Sequence, residues 1–166
     1  MKKPSVYLDT NILSSYWYDG GDVLAISRRN QTRDWWETER KHFEVWASVV
    51  TESELSAGEY SKQVNCVRMV RRLKFLPIPA EARDLANRLM ELGVIPDNKS
   101  GDAYQMALCT VHRIDYLLTW NYAHLANPLA QERLNVICKK LDFAAPLLVT
   151  PESMPKVAMG QPIRRT

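Results

Sequence analysis

The side chains able to do chemistry fall in four short polar clusters far apart in the chain: Asp9-Thr10-Asn11, Thr51-Glu52-Ser53-Glu54, Ser100-Gly101-Asp102 and Thr119-Trp120-Asn121. Three of the clusters bring a carboxylate: Asp9, Glu54 and Asp102. Each residue also has a purely local reading. Asp9 can start a turn by bonding backbone two residues on. Thr51-x-x-Glu54 has the form of a capping box. Asp102 stands in a first helical turn, where the positive end of the dipole favours an acid, and Asn121 is a preferred N-cap residue. Their convergence would mean more. Carboxylates gathered at one place raise one another's pKa, and a divalent cation between them is the natural relief. Oxygen-only donors select a hard ion, Mg²⁺ or Mn²⁺. HExxH and Cys/His pairings are absent, so zinc has no support, and His42, His112 and His124 read as isolated surface or core residues. GxGxxG, GxxxxGK[ST] and GxSxG are absent too, which removes the dinucleotide, P-loop and α/β-hydrolase readings.

The elements that must position these residues alternate along the chain. Ser5-Val6-Tyr7-Leu8 is a short strand ending at Asp9. Asp22 can cap a helix that breaks near Asn30 and runs on toward Phe43. Residues 45–50 read as a second strand, with a helix opening at Thr51. Residues 61–73 form an amphipathic helix and residues 75–79 an edge strand, since proline cannot donate to a ladder. Residues 80–92 repeat apolar side chains at helical spacing, and Gly93 stops them. Ser100 caps the next helix. Tyr116 to Thr119 is a buried strand, Asn121 opens a short helix, residues 129–141 form another, and residues 146–149 are a last strand. Short apolar strands alternating with helices predict an α/β fold with a mainly parallel central sheet of about four to five strands and helices on both faces. In such folds ligands bind beyond the carboxyl ends of the strands, where the four clusters stand.

Length and composition agree with one ordinary domain. The chain has 166 residues, 46% apolar and 25% charged, with only 6 Gly and 9 Pro. Residues 1–150 read as the single domain and 151–166 as an irregular tail. No uncharged run approaches the roughly 20 residues of a spanning helix, and Asp9 arrives before any apolar stretch of signal length. Three scattered cysteines fit reduced thiols and a cytoplasmic setting. Net charge is +3, but residues 61–80 hold Lys62, Arg68, Arg71, Arg72 and Lys74 with no acid. That run is either a solvated face or a surface that tracks phosphates. Arg28, Arg29, Arg33, Arg164 and Arg165 are further basic points.

Over about residues 4 to 150 the chain resembles the PIN domains, and within them the VapC-like toxin ribonucleases. The strand leading to Asp9-Thr10-Asn11 is similar to that family's opening motif. Ser48 to Glu54-Leu55 is similar to the second, with Glu54 as the motif acid and Glu52 as the alternative. Asp102-Ala103 with Ala107 resembles the third, and the strand into Thr119-Trp120-Asn121 the fourth. Asn121 stands where an Asp is common, although one subgroup has Thr-Trp-Asn followed by His-Leu, as His124-Leu125 here. Gln105 stands where that subgroup often has His. The resemblance implies a metal-dependent single-strand ribonuclease. Asp9 and Asp102 would bind Mg²⁺ or Mn²⁺, Glu54 would bind directly or through water, and Asn121 would orient a water or help a second ion. Thr10, Asn11 and Thr119 would support the acids from behind, while Arg68, Arg71, Arg72 and Lys74 would track RNA. It further implies RNA and a small antitoxin as partners, a homodimer, and no membrane. Two other readings stand beside it: a PIN-fold RNA-binding or scaffold protein with weak or no catalysis, and a metal-dependent phosphotransfer enzyme.

Overall fold

Alternation along the strands builds the core of the computed structural model, which describes residues 2–161. Strand β1 (Ser5–Leu8) lies at the centre, with Tyr7 turned to one face and Val6 and Leu8 to the other, all fully buried. Burial on both faces is the mark of a parallel sheet covered by helices. The other strands are β2 (Glu44–Ala47), β3 (Lys74–Phe75), β4 (Tyr116–Leu118) and β5 (Leu147–Val149). All pairings are parallel and the order is β3-β2-β1-β4-β5. The central strands therefore start at one edge and end at the other. The α/β class and the parallel five-stranded sheet are as the alternation predicted.

Helices α5 (Ala80–Glu91), α6 (Ser100–Val111) and α7 (Pro128–Lys140) cover the Tyr7 face, through Leu85, Leu89, Met106 and Leu134 among others. Helices α1 (Thr10–Tyr16), α2 (Val23–Asp34) and α4 (Gln63–Val70) lie on the side of Val6 and Leu8, where Ile12, Leu13, Trp35, Cys66 and Val70 are buried. Between them α3 (Val49–Ser56) follows β2 directly. Residues 150–161 pack back on this core: Met154 is buried, and the Val157 N–H donates to Glu39 Oε2 at 2.7 Å. Arg164 and Arg165 lie outside the described residues. Cys66, Cys109 and Cys138 are buried and unpaired, consistent with small apolar fillers. Among the described residues no helix is long and apolar enough to cross a membrane.

Several boundaries differ from the pattern reading, each for a local reason. The strand read over 45–50 stops at Ala47, because Ser48 caps α3 by accepting from Val50 N at 3.1 Å. Thr51 is therefore not a cap. It is buried inside α3, with its hydroxyl 2.9 Å from the Tyr7 hydroxyl. Ser100 is the first residue of α6 rather than its cap; Lys99 holds that position without a side-chain bond. Asp22 caps α2 as expected, but the helix passes through Asn30 to Asp34, continues as a π-helical stretch at Trp35–Glu39 and ends in a tight turn at Arg40–His42. Only Lys74 and Phe75 pair as β3, short of the strand read over 75–79.

Candidate functional site

Asp9 is the N-cap of α1 and the first residue beyond β1. Its backbone N–H donates to Leu118 O at 3.0 Å, which ties the end of β1 to the end of β4. Its carboxylate is buried and held from three directions. Thr10 N donates to Oδ1 at 2.6 Å, while Asn11 Nδ2 and Thr119 Oγ1 donate to Oδ2 at 2.8 and 2.6 Å. Asn11 completes the brace by accepting from Trp120 N at 2.8 Å. An amide is required at 11, because the side chain must donate to one partner and accept from the other. The expected supporting residues Thr10, Asn11 and Thr119 are thus all in contact with the site. The local bond differs from the one expected, since Asp9 accepts from the backbone one residue on rather than two and caps α1, and the same side chain carries the buried carboxylate.

Asp102 enters from the first turn of α6, and its Oδ2 accepts from Asn121 Nδ2 at 3.0 Å. Asn121 accepts in turn from His124 N at 3.0 Å. The helix expected at Asn121 is a turn instead: Leu125 N and Ala126 N both donate to Asn121 O, at 3.1 and 2.8 Å. Asn121 does cap, but it caps this turn while its amide reaches Asp102. Glu54 projects from α3 and accepts from the Thr10 hydroxyl. Glu52 leaves in another direction, paired with Arg71 at 2.5 Å. Of the two candidate acids, Glu54 is the one brought to Thr10.

The electrostatics follow from burial. Desolvation pushes Asp9 up to about 6, helped by the charges of Asp102 and Glu54 and opposed by the bond from Thr119 and by the nearby Gln105 amide. Glu54 and Asp102 are also raised, in each case chiefly by desolvation; Asp102 adds to the rise of Glu54, while His124, Asn121 and Lys99 hold Asp102 down. Of the three, Asp9 is buried, Asp102 half-buried and Glu54 exposed, and carboxylates that desolvation makes costly to ionise are the donors a hard cation would relieve. Among the described residues no group of three or more His, Cys, Asp and Glu side chains is arranged to hold a metal by itself. Mg²⁺ does not need one, since it takes one or two carboxylates and keeps several waters. The donor chemistry fits such an ion, with Asp9 and Asp102 as the carboxylates.

Three residues near the site were not among the expected functional residues. Gln105, one turn after Asp102 on α6, is fully buried, and neither amide atom completes a hydrogen bond among the described residues. Its amide lies near enough to favour the ionised form of Asp9. The signal was a polar residue inside the apolar run of residues 103–109. Gly101 is the second: a Cβ there would overlap Glu54 Oε1, so the lack of a side chain lets that carboxylate approach α6. His124, read as an isolated histidine, lies close enough to Asp102 to favour its charged form.

The expected RNA-tracking residues lie elsewhere. Arg71 and Lys74 are engaged in ion pairs with Glu52 and Glu44, at 2.5 and 2.7 Å. Arg68 and Arg72 are exposed on and just after α4. Arg28 stacks over Trp120 and Tyr122, and Arg33 donates to Tyr16 O at 2.8 Å, so these two serve packing.

No protein-family model matches the sequence, and no curated protein matches it. Solved structures do. A chain of a toxin–antitoxin complex from Klebsiella pneumoniae aligns with a TM-score of 0.55 and 20% identity over 76% of this chain and 94% of that one. A chain of VapBC2 from Rickettsia felis, bound to a DNA fragment from its promoter, aligns at 0.52 and 14%, over 87% and 97%. At such identities the likeness speaks for architecture. The chain has the PIN-like fold of the VapC-type toxin–antitoxin structures.

Proposed function

We propose that the chain is a Mg²⁺- or Mn²⁺-dependent single-strand ribonuclease and the toxin of a toxin–antitoxin pair. The observation that carries this reading is the buried, triply held Asp9 carboxylate beside Asp102 and Glu54, at the edge where parallel α/β sheets bind ligands. Above pH of about 6 Asp9 is ionised and acts only as an acceptor. Thr10, Asn11 and Thr119 fix its oxygens, and Asn121 fixes one oxygen of Asp102. Asp9 and Asp102 would hold the ion, with Glu54 reaching it directly or through water. A bound dication would supply the positive charge that lets a phosphodiester approach these acids, and would lower the pKa of a water beside it. Lys99 adds positive potential on the Asp102 side. Arg68 and Arg72 would meet the RNA backbone without reading its sequence. The likeness to toxin–antitoxin complexes supports an antitoxin partner.

Incubating the chain with labelled, unstructured RNA and either Mg²⁺ or Mn²⁺ tests this. Cleavage should appear with metal, disappear with chelator, and fall at least about 100-fold in Asp9→Asn and Asp102→Asn, the order of effect that loss of a catalytic group brings. The second reading, an RNA-binding scaffold, is favoured by the neutral Asn121, which spends its amide on Asp102. RNA that is bound yet intact under every metal condition would select it.

A further inference from the structure

We infer that the opposite edge of the sheet, where the strands begin, carries a second site, one for the phosphate chain of single-stranded RNA. Lys2 and Lys3 precede β1, Arg40 and Lys41 close the segment that leads into β2, and Arg72 and Lys74 lie just before and at the start of β3. Because β1, β2 and β3 run parallel, these three distant pieces of chain arrive at one edge. Together they line a cleft of about 530 Å³ that contains a single carboxylate, Glu44.

That carboxylate is already committed. Glu44 Oε1 pairs with Lys74 Nζ at 2.7 Å, and its pKa is lowered by Lys74 first and then by Lys2. Lys3 Nζ donates to Lys41 O at 2.6 Å, a neutral acceptor. Among the described residues Lys2, Lys3, Arg40, Lys41 and Arg72 form no ion pair, and Arg40 Nε is buried without a hydrogen-bond partner. Two other acids stand close by: Asp115 is buried in a neighbouring cleft and accepts from Ser5 N and Oγ at 2.8 and 2.9 Å, and Glu39, next to Arg40 in the chain, is buried and accepts from Val157 N at 2.7 Å. Cations gathered this way repel one another, and a polyanion relieves the repulsion while releasing its own counterions.

The adjoining surface argues for a single strand. Arg40, Arg72 and Leu73 are shared with a second cleft of about 410 Å³, which Tyr16, Trp17, Trp36, Arg68 and Asn65 also line. Tyr16 meets Trp17 and Trp36 edge to face at 5.2 and 5.9 Å, and Arg40 lies over Trp36 at 4.4 Å. A basic groove beside half-buried aromatic rings is the combination that binds unpaired strands, with phosphates on the cations and bases on the rings. A duplex hides its base faces and could use only the cations. This cleft stands at the end of the sheet opposite Asp9; of the residues lining the two clefts, Arg68 and Arg72 are shared with the RNA path proposed for the nuclease, while Lys2, Lys3, Arg40 and Lys41 are not.

The test uses the whole chain and needs no cleavage. Anisotropy of a labelled single-stranded RNA is measured across a salt series, in chelator, for the parent and for Lys3→Gln plus Lys41→Gln. Both lysines are exposed surface residues, so the variant should fold; a second, Lys3→Arg plus Lys41→Arg, keeps the charge. The glutamine pair should bind at least 10-fold more weakly, with a log–log salt slope reduced by about 1.4 for two lost phosphate contacts on a single strand. The arginine pair should bind like the parent. Unchanged affinity and slope in the glutamine pair would overturn the site. So would duplex DNA or polyglutamate binding more tightly than the RNA, since either would give the cleft another occupant. Failure of the nuclease reading would show instead as absent cleavage with this binding intact.

Discussion

The two ends of one parallel sheet are chemically opposite. At the carboxyl end Asp9 is buried and raised to about 6, and three donors hold it. At the amino end Lys2, Lys3 and Lys41 stand in water and form no ion pair among the described residues. Charge at the first end costs desolvation, and the surrounding fold is specific about geometry. Charge at the second end costs little, and its geometry is loose. Burial therefore separates a site that could do chemistry from one that can only attract. Side-chain changes at the two ends should differ accordingly in their effects on stability.

The largest difference concerns pH. Asp9 titrates at about 6 in the folded chain against an ordinary 3.8, a gap worth about 3 kcal/mol. The folded state then binds more protons than the unfolded one between these values. The stability Asp9 contributes is full below pH of about 4 and is lost as pH rises through 6. In metal-free buffer the stability difference between parent and Asp9→Asn should therefore shift by about 2 kcal/mol between pH 4 and 7, against the parent. Parallel pH curves for the two proteins would contradict this.

Gln105 comes next. Gln105→Leu removes two buried unpartnered atoms at nearly constant volume, and unfolding should become harder by about 1–3 kcal/mol. Asp9 would lose a group that favours its charge, so the pH at which it ionises should move up. A lower melting temperature would mean that the amide is satisfied in solution. Gly101→Ala should leave melting within about 1 kcal/mol, since alanine suits a helix better than glycine. It would nonetheless push the Glu54 carboxylate away from α6 and weaken Mn²⁺ binding. Unchanged Mn²⁺ affinity would take Glu54 out of the site. Smallest of all, Lys41→Gln at the basic end should change stability by less than about 0.5 kcal/mol in urea unfolding.

Much of the carboxyl end was legible because it depends on order along the chain. Short apolar strands place the residue after each strand at one edge, which brings Asp9, Thr119 and Asn121 together before any contact is known. The parts that misled depend on contacts between distant residues. Val49 and Val50 are β-branched and continue the look of β2, yet Ser48 caps a helix there and the tertiary setting decides. The choice between Glu52 and Glu54 turns on Arg71, 19 residues away, which takes Glu52. The basic run of residues 61–80 was visible, but its ion pairs and its meeting with Lys2, Lys3 and Arg40 exist only in three dimensions. Gly101 carried no sequence signal beyond its small size.

The metal centre we propose lies at the carboxyl end of the sheet. Calorimetric titration with Mn²⁺ at pH 7.5 tests it most directly, on the parent, Asp9→Asn, Asp102→Asn and Asn121→Asp. The parent should bind, and the first two variants should lose binding. Asn121→Asp should bind more tightly, because it exchanges a neutral amide beside Asp102 for an anionic oxygen. A parent that takes up no Mn²⁺, or Asp9→Asn and Asp102→Asn variants that bind it as the parent does, would contradict the account.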